Sequence, residues 1–120
     1  EHNEESHIIH IGSMSGHRVP PGANGVYCAT KFAVRALTES LRQEMQAAKR
    51  AVRVTTISPG LVETGFASNY AGSADAAAKT YGALKCLQSE DVASAVLYAL
   101  AQPDHVQIHD ILLRPKEQGS

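Results

Sequence analysis

No uninterrupted apolar stretch in this sequence is more than a few residues long, far short of the roughly 20 needed to cross a bilayer. A membrane partner is therefore not expected, and no basic-then-apolar leader suggests secretion. Charge of one sign is lacking too: eleven basic and twelve acidic residues leave a net charge of −1. Such a balance gives no strong field to recruit nucleic acid or an anionic surface. Cysteine is scarce. Cys28 and Cys86 form no CxxC pair, so reduced thiols in a cytoplasmic protein are the expectation. Histidine alone is plentiful, with six in 120 residues. His7, His10, His105 and His109 lie in or beside strand-like runs rather than at helical or finger spacing, so no metal is expected. Solvated or strand-edge histidine is the simpler reading.

What is present is ordinary globular composition, 43% hydrophobic and 19% charged, in a length that suits one domain. The run His7-Ile8-Ile9-His10-Ile11 reads as a strand ended by Gly12. Residues 12–25 read as a loop rich in Gly, Pro, Ser and Asn. From about Val26 to Ala48 nothing breaks a helix, and Ala29, Ala33, Leu37, Leu41 and Met45 recur every four residues as an apolar stripe. Ala51 to Ser58 reads as a second strand, stopped by Pro59-Gly60. Residues 61–75 read as irregular, and Ala76 to Leu84 as a short helix. Ser89 reads as the N-cap of a further helix, with Glu90 and Asp91 in its first turn and Val92, Ala95, Val96 and Leu100 on one face. Val106 to Leu113 reads as a third strand. The order βαβαβ predicts an α/β fold with a parallel sheet and right-handed crossovers.

The sharpest chemical feature is Tyr27-Cys28-Ala29-Thr30-Lys31. Residues four apart on a helix face the same way, which sets Lys31 beside the Tyr27 phenol. A free tyrosine ionises near pH ~10. A neighbouring ammonium favours the phenolate, as a proton-shuttling tyrosine requires. Ser13 lies fourteen residues earlier, just past a strand end, where parallel sheets bind ligands. The turn Ser58-Pro59-Gly60-Leu61-Val62-Glu63-Thr64 brings backbone groups and the Thr64 hydroxyl to the same rim. A hydroxyl donor, a phenol and a cation so gathered suit a polarised carbonyl or alcohol. A serine hydrolase fails on spacing, because Gly12 to Gly16 places Met14, not serine, at the centre of G-x-S-x-G.

These three motifs, in this order, resemble the C-terminal half of the classical short-chain dehydrogenase/reductase family. The similarity runs over essentially all of the chain. Within the family, Ser13-Met14-Ser15-Gly16-His17-Arg18-Val19, Gly60-Leu61-Val62-Glu63-Thr64, Gln107-Ile108-His109-Asp110-Ile111 and Arg114-Pro115 resemble the group of dehydrogenase/reductase member 11 and farnesol dehydrogenase-like enzymes. The resemblance implies the C-terminal part of a Rossmann-type doubly wound sheet spanning residues 1–120, with a substrate lid within residues 61–88. Tyr27 would be the acid in carbonyl reduction and the base in alcohol oxidation. Lys31 would tune Tyr27 and hold the nicotinamide ribose, and Ser13 would steady the substrate oxygen. Pro59, Gly60, Val62 and Thr64 would seat the cofactor. NADP would be favoured, with NAD not excluded. Substrates would be carbonyls or alcohols of steroids, isoprenoids or small ketones, and the full-length parent would be a homo-oligomer paired through the long helix.

Two departures qualify that implication. The glycine-rich turn that receives the pyrophosphate has no counterpart, since Gly12, Gly16, Gly22 and Gly25 never give GxGxxG. The family's catalytic asparagine is absent as well. A truncated, catalytically incompetent fragment is therefore the alternative expectation. Ser15 is expected to serve the loop, and Cys28 to be a small packed side chain.

Overall fold

A computed structural model describes residues 4–65, 69, 79 and 82–119. Three parallel strands form the sheet in the order β1 (Ser6–Ile11), β2 (Val52–Pro59) and β3 (Asp110–Leu113). The register runs from Ser6 opposite Val52 to Ile11 opposite Ile57, and from Thr56 opposite Asp110 to Pro59 opposite Leu113. Helices α1 (Gly25–Ala47) and α2 (Ser89–Leu100) complete the expected βαβαβ order. The α/β class and the parallel sheet are thus as the sequence predicts.

β2 is the central strand, and residues 54–58 are buried. Three of those five carry hydroxyls, which a core tolerates only when they are bonded. Thr55 Oγ1 donates to Ile108 O at 2.6 Å, and Ser58 Oγ donates to Asp110 Oδ2 at 3.1 Å. Among the described residues β1 pairs only with β2, and Ile8 and Ile11 on it are exposed.

Several boundaries and faces differ from the sequence reading. The packed face of α1 is not the alanine–leucine stripe. Ala29, Ala33 and Leu37 are exposed, while Cys28, Thr38 and Arg42 are buried and Leu41 and Met45 half-buried. Periodicity fixes a helix but ranks faces by apolarity alone; here two polar residues win because their hydrogen bonds are met. Thr38 Oγ1 donates to Val34 O at 2.7 Å. The Arg42 guanidinium reaches Val54 O at 3.0 Å and His109 O at 3.2 Å, and pairs with Glu39.

The third strand is shorter than expected, because residues 106–109 meet β2 largely through side chains. Val54 N donates to Gln107 Oε1 at 2.8 Å, and Thr55 and Arg42 take the Ile108 and His109 carbonyls. The N-cap of α2 is Gln88 rather than Ser89: Gln88 N donates to Asp91 Oδ2 at 2.8 Å, and Asp91 N returns a bond to Gln88 O. The buried residue of α2 is Ala99, whereas Leu100 is exposed. Within the expected 12–25 loop, Met14–Gly16 form a 3-10 turn. Most of the helix read at Ala76 to Leu84, and much of the lid, lie outside the described residues.

The histidines of β1 are half-buried on this edge strand, and each makes a side-chain hydrogen bond. His7 Nε2 lies 2.7 Å from Thr55 Oγ1, whose own proton goes to Ile108 O. His10 Nδ1 lies 2.7 Å from Thr38 Oγ1, whose proton goes to Val34 O. Each imidazole is therefore the donor in its pair. No cluster of three or more metal-ligating side chains occurs among the described residues, and none of their helices is long and apolar enough to cross a membrane.

Candidate active site

The site is assembled where β1 and β2 end. A parallel pair ends on one side, so Ser13 after β1 and Pro59 at the end of β2 emerge together. Gly12 N donates to Ile57 O at 2.8 Å, extending the ladder one residue beyond β1. Ser13 then leaves the sheet in extended backbone and caps the 3-10 turn, its Oγ accepting from Ser15 N at 3.1 Å. That bond uses an acceptor lone pair and leaves the Ser13 O–H available as a donor. Ser15 supplies the backbone amide, in line with its expected loop role.

Tyr27 is fixed by a cap that the sequence reading treated only as a loop breaker. Asn24 Oδ1 accepts from Val26 N at 2.9 Å and Tyr27 N at 3.1 Å, starting α1 two residues before the tyrosine. An asparagine immediately before a helical run is the signal that could have found it. One turn on, Lys31 Nζ lies 5.8 Å from the centre of the Tyr27 ring, within cation–π range. Cys28 between them is buried.

Ser13, Tyr27, Lys31, Pro59, Gly60, Val62 and Thr64, the seven residues singled out from sequence, all line one cleft of about 370 Å³. Ile11, Met14, Leu61 and Gln118 line it too and were not anticipated. Gln118 carried no sequence signal of its own, although it lies three residues after Arg114-Pro115. A larger cavity of about 670 Å³ opens between α1 and β3, lined by residues including His17, Arg42 and Asp110. It holds none of the seven.

The cleft suits the nicotinamide-ribose end of a dinucleotide. Val62 bridges Leu87, and the two bonds of that bridge, Leu87 N to Leu61 O and Glu63 N to Leu87 O, come from its neighbours. The N–H and C=O of Val62 itself consequently face the other way. An amide donor, an ammonium and hydroxyls therefore border a single space, a donor set matched to a carboxamide and a ribose diol. Among the described residues no glycine-rich strand-to-helix turn offers a corresponding pyrophosphate seat.

A sequence model described as short chain dehydrogenase matches residues 1–75. The chain is 56% identical over 117 residues to a protein of Bos taurus named dehydrogenase/reductase SDR family member 11, covering 96% of this chain and 46% of the relative. The protein of that name in Gallus gallus is 54% identical over 119 residues, covering 98% and 47%. Among solved structures, the closed form of a serine dehydrogenase complexed with NADP+ superposes with a TM-score of 0.85 at 41% identity, covering 95% of this chain and 46% of that one. The chain spans about half the length of the curated relatives it matches.

Proposed function

This chain belongs to the short-chain dehydrogenase family, and from that premise we propose that it forms the catalytic half of an NADP-dependent oxidoreductase that interconverts a carbonyl and an alcohol. The observation that carries the reading is the convergence of Ser13, Tyr27 and Lys31 with the Pro59–Thr64 turn on one cleft.

When bound, the nicotinamide supplies or accepts the hydride. The chain's own residues do the rest. The Ser13 hydroxyl donates to the substrate oxygen and stabilises the negative charge that grows there. The Tyr27 phenol delivers a proton to that oxygen in reduction and removes it in oxidation. Lys31, one turn along the same helix, stabilises the charge left on the phenol oxygen and offers N–H donors to the ribose. The Val62 amide meets the carboxamide, and Thr64 helps seat it. Residues 61–88 serve as the substrate lid. NADP is preferred to NAD in this proposal, supported by the NADP+ complex of the serine dehydrogenase. Steroid, isoprenoid or small-ketone carbonyls are the substrate class. Val26, Phe32 and Leu37, exposed on α1, support homo-oligomerisation through that helix.

A second reading has its own support: residues 1–120 alone do not hold the cofactor productively. Its basis, among the described residues, is the pairing of β1 with β2 alone and the lack of a glycine-rich strand-to-helix turn. The deciding experiment compares NADPH-dependent carbonyl reduction by residues 1–120 and by the full-length protein that contains them. Activity confined to the latter supports both readings; none in either refutes the first.

A further inference from the structure

The C-terminal tail enters the same cleft through Gln118, a residue no motif suggests. Gln118 Oε1 accepts from Leu61 N at 2.9 Å, and its Nε2 donates to Met14 Sδ at 3.0 Å. One side chain thereby ties the turn after β2 to the 3-10 turn that begins at Ser13. Two backbone bonds hold the tail in place for this. Gly60 N donates to Leu113 O at 2.7 Å, and Gln118 N donates to Pro115 O at 3.0 Å in a tight turn around buried Pro115.

Gly60 shows how closely the tail is seated. A Cβ at that position would lie 2.5 Å from Gln118 Oε1, 2.7 Å from Arg114 Cβ and 3.0 Å from Met14 Sδ. Only a residue without a side chain leaves room for the tail, so Gly60 is here a packing requirement as well as a turn residue. Leu61 is in turn the residue before Val62, and its carbonyl is fixed by Leu87 N at 3.0 Å. Gln118 holds the N–H of the Gly60–Leu61 peptide, and Leu87 N holds the Leu61 C=O, which shares its planar peptide with the Val62 N–H. Leu87 thus orients the Val62 amide, while Gln118 fixes the peptide unit before it and so the position of the turn.

We propose that Gln118 is a positioning residue of the cofactor site: by holding the Gly60–Leu61 peptide it fixes the place of the turn on which the Leu87 bridge presents the Val62 N–H to the nicotinamide carboxamide. The inference rests on the function proposed above. Removing the acceptor leaves the Leu61 N–H without its partner and frees the turn, a loss equivalent to about 5- to 30-fold in binding.

The test uses the full-length protein that contains this chain, as Gln118→Ala and Gln118→Glu variants. Glutamate keeps an acceptor for Leu61 N but no donor for Met14. Hydrogen exchange at the Leu61 amide and NADPH affinity by fluorescence titration are read together, with thermal unfolding alongside. In Gln118→Ala, Leu61 exchange accelerates and NADPH binds about 5- to 30-fold more weakly, with little change in the unfolding midpoint. In Gln118→Glu, Leu61 protection returns. Unchanged Leu61 exchange in Gln118→Ala overturns the inference alone, as does faster exchange with unaltered NADPH affinity. Weaker binding that tracks a general drop in the unfolding midpoint, unrelieved by glutamate, assigns Gln118 a merely structural role and also overturns it. An unaltered protein that binds no NADPH refutes the parent reading instead.

Discussion

Gly16 lies directly against the backbone of Lys31: a Cβ on Gly16 would stand 2.7 Å from the Lys31 carbonyl oxygen and 3.1 Å from its carbon. The turn that follows Ser13 and the helix turn that carries Lys31 are thus in contact without any side chain between them. Arg35 Nη1 adds a bond to Gly16 O at 3.1 Å. The spacing of serine and lysine across the cleft is set by this close approach.

Gly16→Ala is accordingly expected to push α1 away from the Ser13 turn. The overpacking should cost about 1–3 kcal/mol and lower turnover as well. Urea unfolding and steady-state kinetics of the full-length protein check both. Unchanged stability would show that the helix yields freely there.

Tyr27→Phe removes the proton and keeps the ring beneath Lys31. Turnover should fall by roughly 10²- to 10⁴-fold while NADPH affinity stays nearly intact. Retained turnover would take Tyr27 out of the acid–base role.

His7 titrates below its ordinary value, first because it is partly buried and second because the Arg53 guanidinium repels its charged form. The neutral imidazole is the form that the folded state favours. Its stabilising contribution is therefore complete above the unfolded value near ~6.5 and is lost as pH falls through the lower folded value. His7→Gln should flatten the loss of stability between about pH 7 and 5. Unfolding midpoints of both proteins across that range decide it; parallel curves would exclude His7 as a cause.

Arg42→Met removes the guanidinium that Val54 O and His109 O rely on. Val54 O loses its guanidinium partner while His109 O keeps the bond from Thr56 N, and the loss should cost about 1–3 kcal/mol in urea unfolding. Glu39→Gln, at the exposed end of the same ion pair, should cost much less than Arg42→Met, because an exposed pair is screened by solvent. Equal effects would mean that the ion pair, not the carbonyl contacts, is what Arg42 contributes.

Residues 1–120 produced alone should self-associate through the exposed edge of β1 and give no saturable micromolar complex with NADPH. Fluorescence titration and size-exclusion chromatography measure the two halves of this expectation. A monomer that binds NADPH saturably would overturn it.

Much of this architecture was legible because it is local. The β-branched runs at 7–11 and 52–57, the Pro59-Gly60 stop and the uninterrupted helix formers after Val26 each decide their own segment. The site was legible because its chemistry sits in short motifs at strand ends and in one helical turn. What stayed hidden depends on partners distant in sequence. Thr38 and Arg42 look like solvent residues until the His10 imidazole and the Val54 and His109 carbonyls are brought to them. Residues 106–109 read as strand because their side-chain types are right. The bonds that Gln107 and Thr55 make in place of the ladder cannot be read from composition. Gln118 lacked every local cue.

The Gln118–Met14 contact joins positions 104 residues apart. During synthesis the strands and α1 can begin to order as they emerge, yet this wall of the cleft must wait until residue 118 has left the ribosome. Closing so long a loop is entropically slow. Nascent chains stalled before residue 118 would therefore carry Tyr27 and Lys31 on a formed helix beside a turn still unanchored, so the strand scaffold would be in place before the cleft it supports is complete.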